Sequence, residues 1–195
     1  PAAAGAFERV LAAEPGYLDA GERLARLDAS ARFAQLSKLN TNRKVIALTF
    51  DDGPKELTGE LLDVLAKAGV KATFFVVGKQ AEAFPEMIKR IAAEGHDVQN
   101  HTYGHRALDF IPEREIYQEI FRTSAIVRSI TGKGTRYVRP PGGRQDKKLT
   151  DVMRKQGLGM ALWSINCGNV EGTTQEKLVK HVVSSAEPGA IVLMH

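Results

Sequence analysis

From residue 44 onward the chain alternates short apolar, β-branched runs with stretches of helical period, and this alternation constrains the fold more than any other feature. Residues 44–50 read as a strand that runs into Asp51-Asp52-Gly53-Pro54. Leu57, Leu61, Leu62, Val64 and Leu65 predict a helix over 56–68, stopped by Gly69. The same reading gives strands at 70–77, 96–102, 135–139, 160–166 and 190–195, and helices at 79–94, 112–131, 146–156 and 174–186. About six βα-type units predict a parallel sheet covered by helices, a barrel-like α/β domain over 44–195.

Residues 1–40 have a different texture, rich in Ala, Arg, Leu and Glu and without a strand-like run. Phe7, Val10 and Leu11, then Leu24, Leu27, Phe33 and Leu36, recur at helical spacing on either side of Glu14-Pro15-Gly16. They predict a helical pair at 2–13 and 17–38 that could serve a protein partner. Ala3, Phe7 and Pro15 are similar in spacing to part of a tetratricopeptide repeat, with Val10 departing from it. One such unit needs neighbours to bury a common core, so this resemblance implies a longer parent chain, as does a first residue that is proline.

Composition removes several classes of function. A single cysteine, Cys167, excludes an internal disulfide framework and a cysteine-rich zinc module. A net charge of +4 is too balanced to imply nucleic-acid binding, although it suits an anionic polymer. No run approaches the ~18 apolar residues of a membrane-spanning helix.

In parallel α/β folds chemistry collects at the carboxyl ends of strands. The predicted strands deliver Asp51 and Asp52, then His101 with His105, then Arg139, then Asn166 and Asn169, and finally His195. The His-x-x-x-His spacing predicts two imidazoles on one face of a helical turn, able to share a cation. One carboxylate with two histidines is the ligand set of a catalytic zinc or similar divalent ion, and the second aspartate is then available as a base. The bland readings are a turn at Asp-Gly-Pro and two ordinary histidines; it is the shared rim that favours chemistry. His96 reads as structural, His181 as a solvated helix position, Cys167 as an inert buried thiol, and Trp163 as core or pocket floor.

TFDDGP (49–54), HTYGH (101–105), RPPGG (139–143), LWSINCGNV (162–170) and LMH (193–195) occur in an order and spacing that resemble the polysaccharide deacetylases, the NodB-homology group of carbohydrate esterase family 4. The resemblance implies a distorted (β/α) barrel and an extracytoplasmic enzyme that removes N-acetyl groups from peptidoglycan, a chitin-like glycan or an exopolysaccharide. It implies a metal bound by Asp52, His101 and His105, usually zinc, with cobalt or nickel as substitutes. Asp51 is then the general base toward the attacking water, Arg139 holds and aims Asp51, and His195 protonates the leaving amine. The Gly142 amide meets the oxyanion, and Trp163 and Asn169 line the substrate side.

The fourth motif departs from the family. Asn166 and Asn169 stand where the group usually carries aspartates, and Val170 where a tryptophan walls the groove. An amide cannot stabilise an imidazolium by charge, so weaker activity, or activity shifted to lower pH, is expected. Family members also continue beyond the last motif, so this stretch is expected to be a truncated barrel. Two other readings stay open at this point: an amide or imide hydrolase acting on a small molecule, and a catalytically impaired glycan-binding or adaptor protein.

Overall fold

The structure, a computed structural model, describes residues 34–167 and 174–195. Eight strands, β1 (Gln35–Leu36), β2 (Ala47–Asp51), β3 (Thr73–Val76), β4 (Asp97–Asn100), β5 (Tyr137–Val138), β6 (Gly159–Ala161), β7 (Ile165–Asn166) and β8 (Ile191–Met194), form one sheet. They lie in the order β1-β6-β5-β4-β3-β2-β8-β7, and every neighbouring pair is parallel. The helices are α1 (Thr58–Lys67), α2 (Gly78–Ala83), α3 (Pro85–Ala93), α4 (Glu113–Thr131), α5 (Lys147–Lys155) and α6 (Gln175–Ser185).

The strand order itself shows that the sheet is rolled. β6 and β7 lie six places apart in the sheet, a distance of about 29 Å if it were flat at roughly 4.8 Å per strand. Residues 162–164 alone join them, and so short a link spans at most about 14 Å. The two sides of the sheet must therefore curl toward each other into a distorted barrel. Ser164 fixes the crossing, because its N–H donates to the Ile191 carbonyl at 3.0 Å and its Oγ accepts from Ile191 N–H at 3.1 Å. A second short link follows β1, where Lys38 bridges Ala190 in antiparallel fashion.

Side chains alternate across this curved sheet. Leu48, Phe50, Phe74, Val76 and Val98 face outward into a core shared with Leu62 and Leu65 of α1, Ile88 and Ile91 of α3 and Val127 of α4. Val138 and Met160 do the same against Ile116 and Ile120 of α4 and Leu149, Val152 and Met153 of α5. Each such aliphatic side chain contributes about 1.5–3 kcal/mol by leaving water. The opposite positions, among them Ala47, Phe75, Tyr137, Ala161 and Ile191, fill the barrel interior with Leu39. Asp51 and Arg139 fall on that inner set by alternation with Ala47 and Tyr137, as His195 does by alternation with Ile191.

Four expectations need correction. The expected helix over 17–38 fails where it can be seen: Gln35–Leu36 is a strand paired with Met160 and Ala161, tertiary pairing having overridden helical spacing. The rest of the N-terminal helical pair lies outside the described residues. The helix over 79–94 is two, because Pro85 lacks an N–H and Phe84 before it has non-helical φ −128° and ψ 57°. The strand over 160–166 is also two, and Trp163 sits in the break; the flanking Ala161 and Leu162 carbonyls accept from Arg139 instead of continuing a ladder. Finally, His101 and His105 do not share a helical turn but lie in a loop with left-handed residues, Thr102 at φ 65° and His105 at φ 54°.

Two tests follow from this packing. His96 is buried, its Nδ1 accepts from Ala72 N–H at 3.1 Å, and burial first, then Lys71, lowers its pKa to about 4, with Glu94 opposing. The unfolded chain takes up this proton below about pH 6.5 and the folded protein only near 4, so stability falls as pH drops through that window, by about 3 kcal/mol. Urea unfolding between pH 7.5 and 4.5 should show that loss, and His96→Gln should flatten it. Gly189, at φ 84°, would place a Cβ 2.2 Å from the Leu39 carbonyl oxygen. Gly189→Ala should therefore cost about 2–5 kcal/mol in the same assay.

Candidate active site

β2 ends on two aspartates whose side chains diverge because the backbone changes hand between them. Asp51 is the last strand residue, whereas Asp52 has φ 69°. Left-handed conformations cost about 1–2 kcal/mol for a residue with a Cβ, and they persist where the surroundings over-determine them. Here three of them, at Asp52, Thr102 and His105, converge on one spot at the carboxyl end of the sheet.

Asp52 Oδ1 lies 3.5 Å from His101 Nε2 and 3.2 Å from His105 Nε2. These three side chains form the candidate ion-holding group found among the described residues. Tetrahedral zinc with bonds of about 2.05 Å separates its ligands by about 3.3 Å, so the two oxygen–nitrogen distances match such an ion, and all three donor atoms lie within 4.8 Å of one another. Two further observations agree. Asp52 Oδ1 is buried without a hydrogen-bond partner, an arrangement that costs free energy unless a cation satisfies it. His101 Nδ1 lies 2.6 Å from the Arg139 carbonyl, which can only accept, so Nδ1 carries a proton; in the neutral ring that tautomer leaves Nε2, the atom facing Asp52, able to ligate.

Charge at the site favours the ligand forms. Interaction with His101 first, against the opposing effect of burial, and then the nearby His105 and Lys55 hold the Asp52 carboxyl well below the usual range. Burial, followed by repulsion from His101, holds His105 below the ordinary imidazole value, although Asp52 and Asp51 pull the other way. An ionised Asp52 carboxylate and a His105 imidazole that resists protonation suit a divalent ion, whose ligands must be deprotonated.

Asp51 is held separately. Its Oδ1 accepts from Arg139 Nη1 at 2.7 Å, while its Oδ2 faces His101 Nε2 at 3.7 Å. Arg139 is 0% exposed and every donor nitrogen is used. Nε donates to the Ala161 carbonyl at 3.1 Å, Nη2 to the Leu162 carbonyl at 2.8 Å, and Nη1 also to Thr49 Oγ1 at 2.7 Å. The guanidinium stacks 4.1 Å over Phe75, with Trp163 beyond it at 5.7 Å. Burial lowers its pKa and Asp51 raises it; arginine's high starting value leaves it protonated.

The remaining expected residues sort themselves by position. Gly142 (φ 68°) and Gly143 (φ 66°) shape the turn after β5. Gly143 N–H is taken by the Pro140 carbonyl at 2.9 Å, which leaves Gly142 as the amide of interest for an oxyanion. The Trp163 indole packs closely against Gly143, where an added Cβ would lie 2.6 Å from the ring. His195 follows β8, is exposed, and lies near enough to His105 to act on it electrostatically. Asn166 is half-buried, in register with Leu193, and has an interaction of its own. Asn169 and Val170 lie outside the described residues. Burial pushes the Cys167 thiol up to about 11, far from a reactive thiolate.

Two supporting residues escaped the sequence reading. Thr49 is buried, donates to the Val192 carbonyl at 2.6 Å and accepts from Arg139, and its place two residues before Asp51 was a usable signal. Asn100 is also buried. It binds the Ile120 carbonyl and Ser124 Oγ through Nδ2, both at 2.8 Å, and receives Thr102 N–H on Oδ1 at 2.8 Å.

Comparison with known proteins agrees with this architecture. The family model for polysaccharide deacetylase matches residues 38–161. A peptidoglycan-N-acetylglucosamine deacetylase from Bacillus cereus is 37% identical over 155 residues, covering 79% of this chain and 56% of that protein. The chain thus spans little more than half the length of that relative. A chitooligosaccharide deacetylase from a Bradyrhizobium species is 37% identical over 152 residues, 77% of this chain and 69% of that protein. A crystal structure of a peptidoglycan N-acetylglucosamine deacetylase superposes with a TM-score of 0.80 at 35% identity, over 84% of this chain and 77% of that one. Fold, motif order and family match converge: this chain belongs to the polysaccharide deacetylase family.

Proposed function

We propose that this protein is a metal-dependent N-deacetylase acting on an extracytoplasmic glycan that contains N-acetylglucosamine. The observation that carries the reading is the orphaned Asp52 Oδ1 between two imidazole nitrogens, next to a second carboxylate held by Arg139. Asp52, His101 and His105 would hold the metal, with zinc suiting one oxygen and two nitrogen donors. When bound, that ion supplies Lewis-acid polarisation and a lowered water pKa.

The side chains then divide the reaction. Arg139 occupies Asp51 Oδ1, so Oδ2 is the oxygen that takes a proton from water as the water oxygen adds to the acetamide carbonyl carbon. Negative charge developing on the carbonyl oxygen is met by Gly142 N–H. His195 gives a proton to the nitrogen as the carbon–nitrogen bond breaks, which makes the amine a competent leaving group. Acetate and a glucosamine residue leave. Trp163 excludes water from one side.

The names of the relatives support a peptidoglycan or chitooligosaccharide backbone, whose shared unit is N-acetylglucosamine. They also support a place outside the cytoplasm, where such polymers lie. Among the described residues, no helix is long and apolar enough to cross a membrane.

Acetate release from chitotetraose and from peptidoglycan fragments tests this reading. The zinc-loaded protein should release acetate from one or both. Asp51→Asn should retain zinc and lose about 10²–10⁴ of the rate. Zinc binding without release from either glycan would point to an impaired or adaptor protein, and turnover confined to small amides would point to the other hydrolase class.

A further inference from the structure

His101 and His105 are held in different ways. His101 is fixed by the sheet: its N–H donates to the Val76 carbonyl at 2.9 Å, and its Nδ1 pairs with the Arg139 carbonyl. His105 lies beyond any strand, with its side chain 45% exposed. Its ring meets the edge of His101 at 4.9 Å, but neither that contact nor Asp52 fixes the backbone that carries it.

Helix α4 does. Both chain neighbours of His105 are tied to carboxylates one turn apart on this helix. Gly104 N–H donates to Glu119 Oε2 at 2.6 Å, and Arg106 Nη1 pairs with Glu115 Oε2 at 2.8 Å. Residues four apart lie on one helix face, so Glu115 and Glu119 form a two-point clamp across the left-handed His105. The two ties differ in strength. Arg106 and Glu115 are both substantially exposed, and such pairs contribute little. The Gly104–Glu119 bond is half-buried, short and assisted by charge, and so is the stronger. Asn100 anchors the other end of the loop to the Ile120 carbonyl and Ser124 on the same helix.

We infer that Glu119 is a positioning residue for the metal site, setting the His105 arm so that its Nε2 reaches Asp52 before any ion arrives. The inference rests on the metal reading above but not on the substrate. Glu119 does not ligate; it acts only through His105.

Zinc affinity of the full chain, measured by competition with a fluorescent chelator, tests this. Glu119→Ala should bind zinc at least about tenfold more weakly, the usual scale for groups that orient ligands. Glu119→Asp, which keeps the charge but is too short to reach Gly104, should behave alike, and Glu119→Gln, which keeps an acceptor, should recover most of the affinity. Glu115→Gln should change affinity less than twofold. In a His105→Ala background, Glu119→Ala should cost nothing further, because the arm it positions is gone. Hydrogen exchange of the 103–106 amides in the metal-free protein gives a readout independent of zinc, and should quicken in Glu119→Ala. Unchanged affinity or exchange in Glu119→Ala, or the same loss in both backgrounds, overturns the inference. A wild-type protein that takes up no zinc while exchange still responds to Glu119→Ala would defeat the metal reading and leave the clamp standing.

Discussion

The guanidinium of Arg139 is the contact on which the rest of the site depends. It lies inside the barrel where β2, β5 and the break after β6 converge, and binds Thr49, Asp51 and the Ala161 and Leu162 carbonyls at once. Its own carbonyl fixes the ring of His101. Desolvating this charge is costly, and the cost is offset only because each of its three nitrogens is hydrogen-bonded and one partner is an anion. A lysine offers a single point charge and could not span these directions. The same bonds that bend β6 away from its ladder also set Asp51, so closing the barrel and aiming a carboxylate are one structural event.

Around that rigid centre the candidate metal ligands depend on strain. Asp52, Thr102 and His105 all adopt positive φ without being glycine. Thr102 is the least suited, being β-branched, and it is held from both sides: its N–H by Asn100 Oδ1, its carbonyl by Gly78 N–H at 2.9 Å. Gly78 must lack a side chain there, since a Cβ would lie 2.6 Å from both Thr123 Oγ1 and the Tyr103 ring. A short loop thus acquires the precision of a strand from α2 and α4, and the two histidines come to face one aspartate.

Much of this was legible in the residue order. Among the described residues, helical periodicity located every α-helix, although it ran α2 and α3 together, and apolar runs bounded by turn residues located the buried strands. The carboxyl-end rule then put Asp51, Asp52, His101, Arg139 and His195 on one rim. What escaped depended on long-range pairing. Gln35–Leu36 is a strand only because β6 offers an edge, and nothing in its own sequence opposes a helix. The break at 162–164 follows from Arg139 capturing carbonyls, an event more than twenty residues away in sequence. The His-x-x-x-His spacing suggested a helical turn because helical spacing and a kinked loop both place residues four apart together; only the φ angles separate them. Glu119 is invisible in sequence, since its partner is a backbone N–H that carries no residue signature.

The central claim is that one aspartate and two histidines cage a single divalent ion beside an independently held carboxylate. Anomalous X-ray diffraction from zinc-soaked crystals addresses it most directly. The account predicts one strong peak, about 2.0–2.2 Å from an Asp52 carboxylate oxygen and from Nε2 of both His101 and His105, with Asp51 outside the coordination sphere and still on Arg139. A peak ligated by Asp51 in place of Asp52, or none at saturating zinc, would contradict it.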